Sequence, residues 1–323
     1  MRCHSFGSRA AVKVFGFYLL LFFSFFVFAN IRKVFAQKVS QSRGLASQMS
    51  EIATIKNYKY GPHERNVFDF YPARSDEPTP VAVYIHGGGF RNGSKDGINN
   101  KTLKALLDAG ISVAAFNYRY VQQAPLPAAH YDCRRALQLL RSNATEWNID
   151  KNRIGAFGGS AGAQICMYLA FHEDMASPDS DDPIERESTR LQAVATSGGQ
   201  TTMDVAWWKK NIPGYDESHR DFYQTLGATT QEEYQNRVSE ISALDLVSKD
   251  DPAIYMSYRM SPEDPVPEGQ TARGWKVHHV QFGVALKEKM TALGIESDLV
   301  YPGSKNKYQS NVDYFISMLK NRK

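Results

Sequence analysis

The stretch Gly158-Gly159-Ser160-Ala161-Gly162 decides how this chain is read. An apolar run, Ile154 to Phe157, precedes it, and an apolar helical pattern, Ala163 to Phe171, follows it. Strand, glycine-bracketed serine, helix is the setting in which a Gly-x-Ser-x-Gly match carries chemistry, because the serine is then presented at a sharp, strained turn. Glycines on either side remove the Cβ clashes that would forbid such a turn. The helix that starts there points its N-terminus at the serine, where a free N–H can hold a developing negative charge. The alternative is a Gly/Ser-rich loop that merely closes a strand-to-helix turn.

A second motif lies about seventy residues upstream, also directly after a strand-like run. Val81-Ala82-Val83-Tyr84-Ile85 leads into His86-Gly87-Gly88-Gly89-Phe90. Ester hydrolysis needs N–H donors aimed at the carbonyl oxygen as it becomes an oxyanion. One would come from Ala161, the residue after the nucleophile, and the other from a loop free of side chains, which consecutive glycines supply. With both motifs in place, the chain resembles the α/β-hydrolase superfamily, specifically the HGGG-type esterases and lipases related to hormone-sensitive lipase. The likeness covers residues 52 to 323. It implies an oxyanion hole built from Gly88, Gly89 and Ala161, with His86 as an anchor for the glycine loop and not as the catalytic base.

The order of elements agrees with that family's fold. Strands are expected at Thr54 to Tyr60, Val67 to Tyr71, Val81 to Ile85, Ile111 to Tyr118, Arg153 to Phe157, Leu191 to Thr196, Ala253 to Tyr258 and Asp298 to Tyr301. Helices are expected at Leu103 to Ala109, Pro127 to Trp147, Glu232 to Ser239, Val280 to Leu293 and Tyr308 to Lys320. The first two strands, joined through Gly61-Pro62, form an antiparallel start. The alternation that follows predicts an α/β fold: a mainly parallel central sheet with helices on both faces. Ligands bind at the carboxyl ends of such strands, where Ser160 and Gly88 both fall. A small cap insertion, about 198–229, is expected to arch over the site with Gln200, Trp207, Trp208 and Tyr215; packing of the cap onto the sheet explains those aromatics equally well.

A serine hydroxyl is a poor nucleophile until a base takes its proton, and the base is normally a histidine oriented by a carboxylate. In this family the order is nucleophile, acid, histidine. The acid should follow the strand Ala253 to Tyr258, where Ser261-Pro262-Glu263-Asp264-Pro265 looks like the family's acid turn and Asp264 matches the catalytic position. The other reading of Asp264 is an ordinary Asp-Pro turn residue. The family's histidine should follow Tyr301-Pro302-Gly303, but Asn306 occupies its place and no histidine follows His279. An asparagine amide cannot serve as a general base. His278 and His279, at the edge of the helix after the acid loop, are the nearest substitutes. His279 is taken as the base, with Ser160 and Asp264 completing the catalytic set. His130 is a weaker candidate, His63 and His172 should be remote, and His219 has no assigned place.

The ends carry a separate message. Arg2, Arg9 and Lys13 precede an apolar run, Val14 to Phe28, and small residues at Ala29 and Ala36 fit a signal-peptidase site. About fifteen apolar residues is short for a membrane span of about 20. Residues 1–36 therefore read as a cleaved export signal, with an uncleaved N-terminal membrane anchor as the alternative, residues 37–50 as a polar linker, and 51–323 as one hydrolase domain. The whole chain has net charge +4; residues 1–36 hold five bases and no acid, so the remainder is −1. The basicity belongs to the leader and gives no case for nucleic acid. Cys133 and Cys166 lie in apolar helical patterns and read as buried free thiols, and no Cys/His spacing suits a metal.

The expectation is an exported carboxylic-ester hydrolase that takes short acyl or carbohydrate esters and needs no cofactor. Its partner is a small-molecule ester, and it meets a membrane only if the leader stays attached. A catalytically silent homologue that binds a ligand or partner is the alternative, and Asn306 is the residue that favours it.

Overall fold

Strand β3 (Thr79–Ile85) and β4 (Ser112–Phe116) are almost entirely buried, as expected of strands covered by helices on both sides. They lie within an eight-stranded sheet that also holds β1 (Ile55–Lys59), β2 (Val67–Tyr71), β5 (Ile149–Gly159), β6 (Ala193–Ser197), β7 (Ile254–Ser257) and β8 (Ser297–Val300). The order is β1-β2-β4-β3-β5-β6-β7-β8. The computed structural model describes residues 55–320. The export leader and linker expected over 1–50 lie outside the described residues. β1 pairs with β2, and β2 with β4, antiparallel; every later pairing is parallel. This is the α/β architecture expected from the alternating pattern.

The parallel register brings the chemically marked segments to one edge. Ile85, just before the glycine loop, pairs with Gly158, and Gly158 pairs in turn with Thr196. The loops after β3, β5, β6 and β7 therefore leave the sheet side by side at its carboxyl end. The helix Ala161–Phe171 is buried along its whole length and packs against β5 and β6. A helix apolar on every side belongs inside a molecule.

Two helices differ from the bounds that the sequence suggests. The helix expected to reach Trp147 spans Ala128–Ser142, where Asn143 closes it by donating from Nδ2 to the Leu139 carbonyl. The chain then leaves the helix so that Trp147 can wedge against Tyr58, Phe68 and Phe70, with ring centroids 5.0, 5.8 and 5.2 Å away. The closing helix is a short α-helix, Asn311–Phe315, that continues as a π-helical turn, Ile316–Lys320. Among the helices that went unread is Thr271–Val277, which has no buried residue and so no apolar stripe to announce it.

The segment 198–229 contains two short helices, Val205–Asn211 and Phe222–Leu226. Trp208 and Tyr215 are buried there, and Trp208 packs edge-on against Phe282 of the helix Gln281–Ala292 at 4.9 Å. These aromatics fasten the cap to the sheet layer. Cys133 and Cys166 are both buried and unbridged. Among the described residues, no helix is long and apolar enough to cross a membrane, and no group of three or more His, Cys, Asp or Glu could hold a metal ion.

Candidate active site

Ser160 stands at the turn between β5 and the helix Ala161–Phe171 with φ 53° and ψ −120°. That is a left-handed φ for a side chain with a Cβ, a conformation that costs on the order of 1–3 kcal/mol and is kept only where the surroundings enforce it. They do so here by close approach. A Cβ at Gly158 would lie 2.4 Å from the Ile85 carbonyl oxygen, and one at Gly162 would lie 2.1 Å from the same atom. At Gly159 the nearest atom would be 3.5 Å away, ordinary contact. The outer glycines of the motif are thus dictated by the β3 backbone, and the middle one is not. The Ser160 N–H donates to the Ser197 carbonyl at 2.9 Å, which ties the turn to β6.

The glycine loop folds against this turn. Gly88 takes φ +106°, and a Cβ there would sit 2.1 Å from the Asn92 carbonyl oxygen. Gly88, Gly89, Ser160 and Ala161 line a single cavity of about 510 Å³. As the first residue of its helix, Ala161 has an N–H without an intrahelical acceptor. His86 is buried beneath the loop and stacked on Tyr118, with ring centroids 4.2 Å apart. Its Nδ1 lies 2.7 Å from the Gly87 carbonyl oxygen and its Nε2 3.2 Å from Arg65 Nη2. An arginine can only donate, so Nε2 accepts and Nδ1–H donates. Burial, with Arg65 adding to it, lowers the His86 pKa to about 4, so this ring is a neutral strut.

The imidazole at the serine belongs to His278. Its Nε2 lies 2.9 Å from Ser160 Oγ. Its Nδ1 lies 2.8 Å from the Gly274 carbonyl oxygen, an acceptor that fixes the proton on Nδ1 and leaves the Nε2 lone pair for the serine hydroxyl. Gly274 lies in the last turn of Thr271–Val277, where helix carbonyls lack intrahelical partners, and His278 is the residue that ends that helix. Gly198, at φ +56°, makes room for the ring: a Cβ there would be 3.3 Å from His278 Cβ and Cδ2. Burial lowers the His278 pKa, the Gly274 bond opposes the shift and Arg259 adds to it. The ring is therefore neutral and able to accept a proton at neutral pH.

Two residues expected in the catalytic set are not brought to it. His279 is buried beside Trp275, with ring centroids 4.4 Å apart, and its Nδ1 accepts from the Gln281 N–H at 3.1 Å. Adjacent residues at a helix end point in different directions, so only one of the pair can face the serine, and it is His278. Asp264 is exposed and accepts from the Ser261 N–H and hydroxyl at 2.9 and 3.0 Å. It is a turn residue; the orienting acceptor at His278 is a backbone carbonyl. Asn306 is exposed and accepts from the Ser304 hydroxyl at 2.7 Å.

His130 is buried against Gln164, away from the cavity. His219 lines the cavity: its Nδ1 lies 2.7 Å from Tyr215 Oη, and its Nε2 accepts from Arg220 Nε at 2.9 Å. Burial first, and then Arg220, Arg273, His278 and Arg91, lower the His219 pKa to about 4. A second cavity, of about 650 Å³, also reaches the serine and is lined by Tyr84, Tyr258, Arg259 and Trp275. Ser160 and His278 border both spaces. Sequence reading missed the four arginines at these walls, because each stands in a loop or short helix without a periodic pattern.

Known proteins resemble this chain in parts. It is 35% identical over 106 residues to tuliposide A-converting enzyme 2, chloroplastic, of Tulipa gesneriana, which is 29% of this chain and 28% of that one. It is 32% identical over 164 residues to probable carboxylesterase 6 of Arabidopsis thaliana, 43% of this chain and 48% of that one. These matches span less than half the length of either relative. Among solved structures, a truncated form of a carbohydrate esterase from gut microbiota superposes with TM-score 0.60 at 21% identity, covering 77% of this chain and 88% of that one; the likeness speaks for the α/β-hydrolase fold. The BD-FAE family model matches residues 68–271, a span that holds the glycine loop, the serine turn and the cap. The chain belongs to the BD-FAE family, a family of α/β-hydrolase esterases.

Proposed function

We propose that this protein is a carboxylic-ester hydrolase in which Ser160 is the nucleophile, His278 the general base and acid, and the N–H groups of Gly88, Gly89 and Ala161 the oxyanion hole. The observation that carries the reading is the 2.9 Å contact between His278 Nε2 and the hydroxyl of a serine at φ 53°. His278 takes the Ser160 proton as Oγ attacks the ester carbonyl, and the oxygen's negative charge falls among backbone N–H groups. The imidazolium then protonates the leaving alcohol, and water, deprotonated by the same ring, releases the acid. The negative end of the helix dipole at Gly274 supports the imidazolium in place of a carboxylate, an effect of about 0.3–2 kcal/mol.

The names of similar proteins support an ester as substrate. Two cavities meeting at one serine give separate room for acyl and alcohol parts, which suits short acyl or carbohydrate esters. The leader-like residues 1–36 make it an exported enzyme in this reading; N-terminal sequencing of the protein recovered outside the cytoplasm should start after Ala29 or Ala36, and retention of Met1 argues for an anchor. Among the described residues no carboxylate bonds His278, which favours the second reading, a ligand-binding homologue without turnover. Purified protein with p-nitrophenyl acetate separates the two. Turnover, together with fluorophosphonate labelling, should vanish in Ser160→Ala. Equal rates in both proteins and no labelling of either would exclude the hydrolase.

A further inference from the structure

Three arginines stand at the walls around Ser160, Arg91 and Arg273 exposed and Arg220 partly buried. Arg91, Arg220 and Arg273 line the cavity that holds the oxyanion loop, and among the described residues no Asp or Glu lines it. Among the described residues, none of the three forms an ion pair. Arg220 is partly buried and held in place: Nε donates to His219 Nε2 at 2.9 Å, and Nη1 to the Gly89 carbonyl at 3.0 Å. Its Nη2 makes no hydrogen bond to the described residues and lies 3.1 Å from where a Gly89 side chain would begin. His219 adds no further positive charge, because its Nε2 must stay unprotonated to accept from Arg220. Burial and the neighbouring Arg91 press the Arg220 pKa down to about 10, as happens to a cation that lacks an anion. Removing a cation from water without a partner costs free energy that a bound anion restores.

We propose that this cavity receives a free carboxylate, so that the preferred ester carries a second, unesterified carboxyl group. The inference rests on Ser160 as nucleophile for its catalytic meaning, while the anion site itself does not. Guanidinium forks match a carboxylate with paired hydrogen bonds. Arg273 lies on Thr271–Val277, the helix that supplies the Gly274 carbonyl and ends at His278, so an anion bound there also holds the base in place.

Mono(4-nitrophenyl) succinate and 4-nitrophenyl butyrate are similar in size and differ in charge. The kcat/KM of the acidic ester should exceed that of the neutral one about tenfold. The ratio should collapse toward one in Arg273→Gln, in Arg220→Gln and in high salt; general damage to the fold would lower both esters alike. A ratio of one or below in the unmodified protein overturns the proposal. Calorimetric titration of Ser160→Ala with monoethyl succinate tests the site without turnover. Binding that weakens about tenfold in the added Arg273→Gln supports it; absence of binding, or equally tight binding of inorganic phosphate, overturns the carboxylate assignment. Carboxylate binding in a protein that hydrolyses neither ester upholds the anion site and removes the hydrolase reading.

Discussion

A single imidazole decides what Ser160 can do. His278 Nε2 is 2.9 Å from the hydroxyl, whereas His279 accepts a backbone N–H from Gln281 and Asp264 is engaged by Ser261. Replacing His278 with Ala should lower kcat by as much as about 10⁶, the loss typical of a base removed from such a set. His279→Ala and Asp264→Ala should cost less than about tenfold, and comparison of the three kcat values checks the assignment. The folded pKa of His278 lies below its ordinary 6.5, so the acid limb of the kcat/KM profile should fall below pH 6.5. The histidine pair was legible in the sequence as the nearest source of a base. Which member turns inward was not, because the choice depends on a one-residue rotation at the end of Thr271–Val277.

The turn between β5 and its helix shows why the serine motif was readable at all. Gly158 and Gly162 are held by contact with the backbone end of β3, not by their own dihedral angles. A methyl group at Gly162 would meet the Ile85 carbonyl oxygen at 2.1 Å and the His86 carbonyl oxygen at 2.7 Å, so backbone must move to admit it. Gly162→Ala should destabilise the protein by about 2–3 kcal/mol, as overpacking of a fixed site does, and should abolish fluorophosphonate labelling. Gly159→Ala, with no contact under 3.5 Å, should leave chemical denaturation midpoints nearly unchanged. A close approach of two backbones leaves a permanent mark in sequence, because only glycine satisfies it. The acid turn left a misleading mark: an Asp after β7 has the family's position, yet the same Ser-x-x-Asp spacing closes a local turn.

The whole molecule buries imidazoles in neutral form, which makes its stability sensitive to pH. His130 is fully buried, and burial lowers its pKa from 6.5 to about 4. Between those values the unfolded chain binds a proton that the folded chain refuses. Stability should therefore fall as pH drops from 6.5 toward 4 and level off below, by about 3 kcal/mol for such a group. Denaturant unfolding at successive pH values should show this slope, and His130→Gln should reduce it by one proton's worth; an unchanged slope would assign the pH dependence elsewhere.

The sequence by itself determined the α/β sheet and its helices, the strained serine and the glycine loop, because periodic burial and backbone contact each restrict residue type locally. Only the tertiary structure decided that His278 and a helix-end carbonyl stand where a histidine and a carboxylate were sought. It alone gathered Arg91, Arg220 and Arg273 around one cavity. Those groups come from separate loops and short helices, and a charge carries no sign in its own neighbourhood of the partners that folding will bring to it.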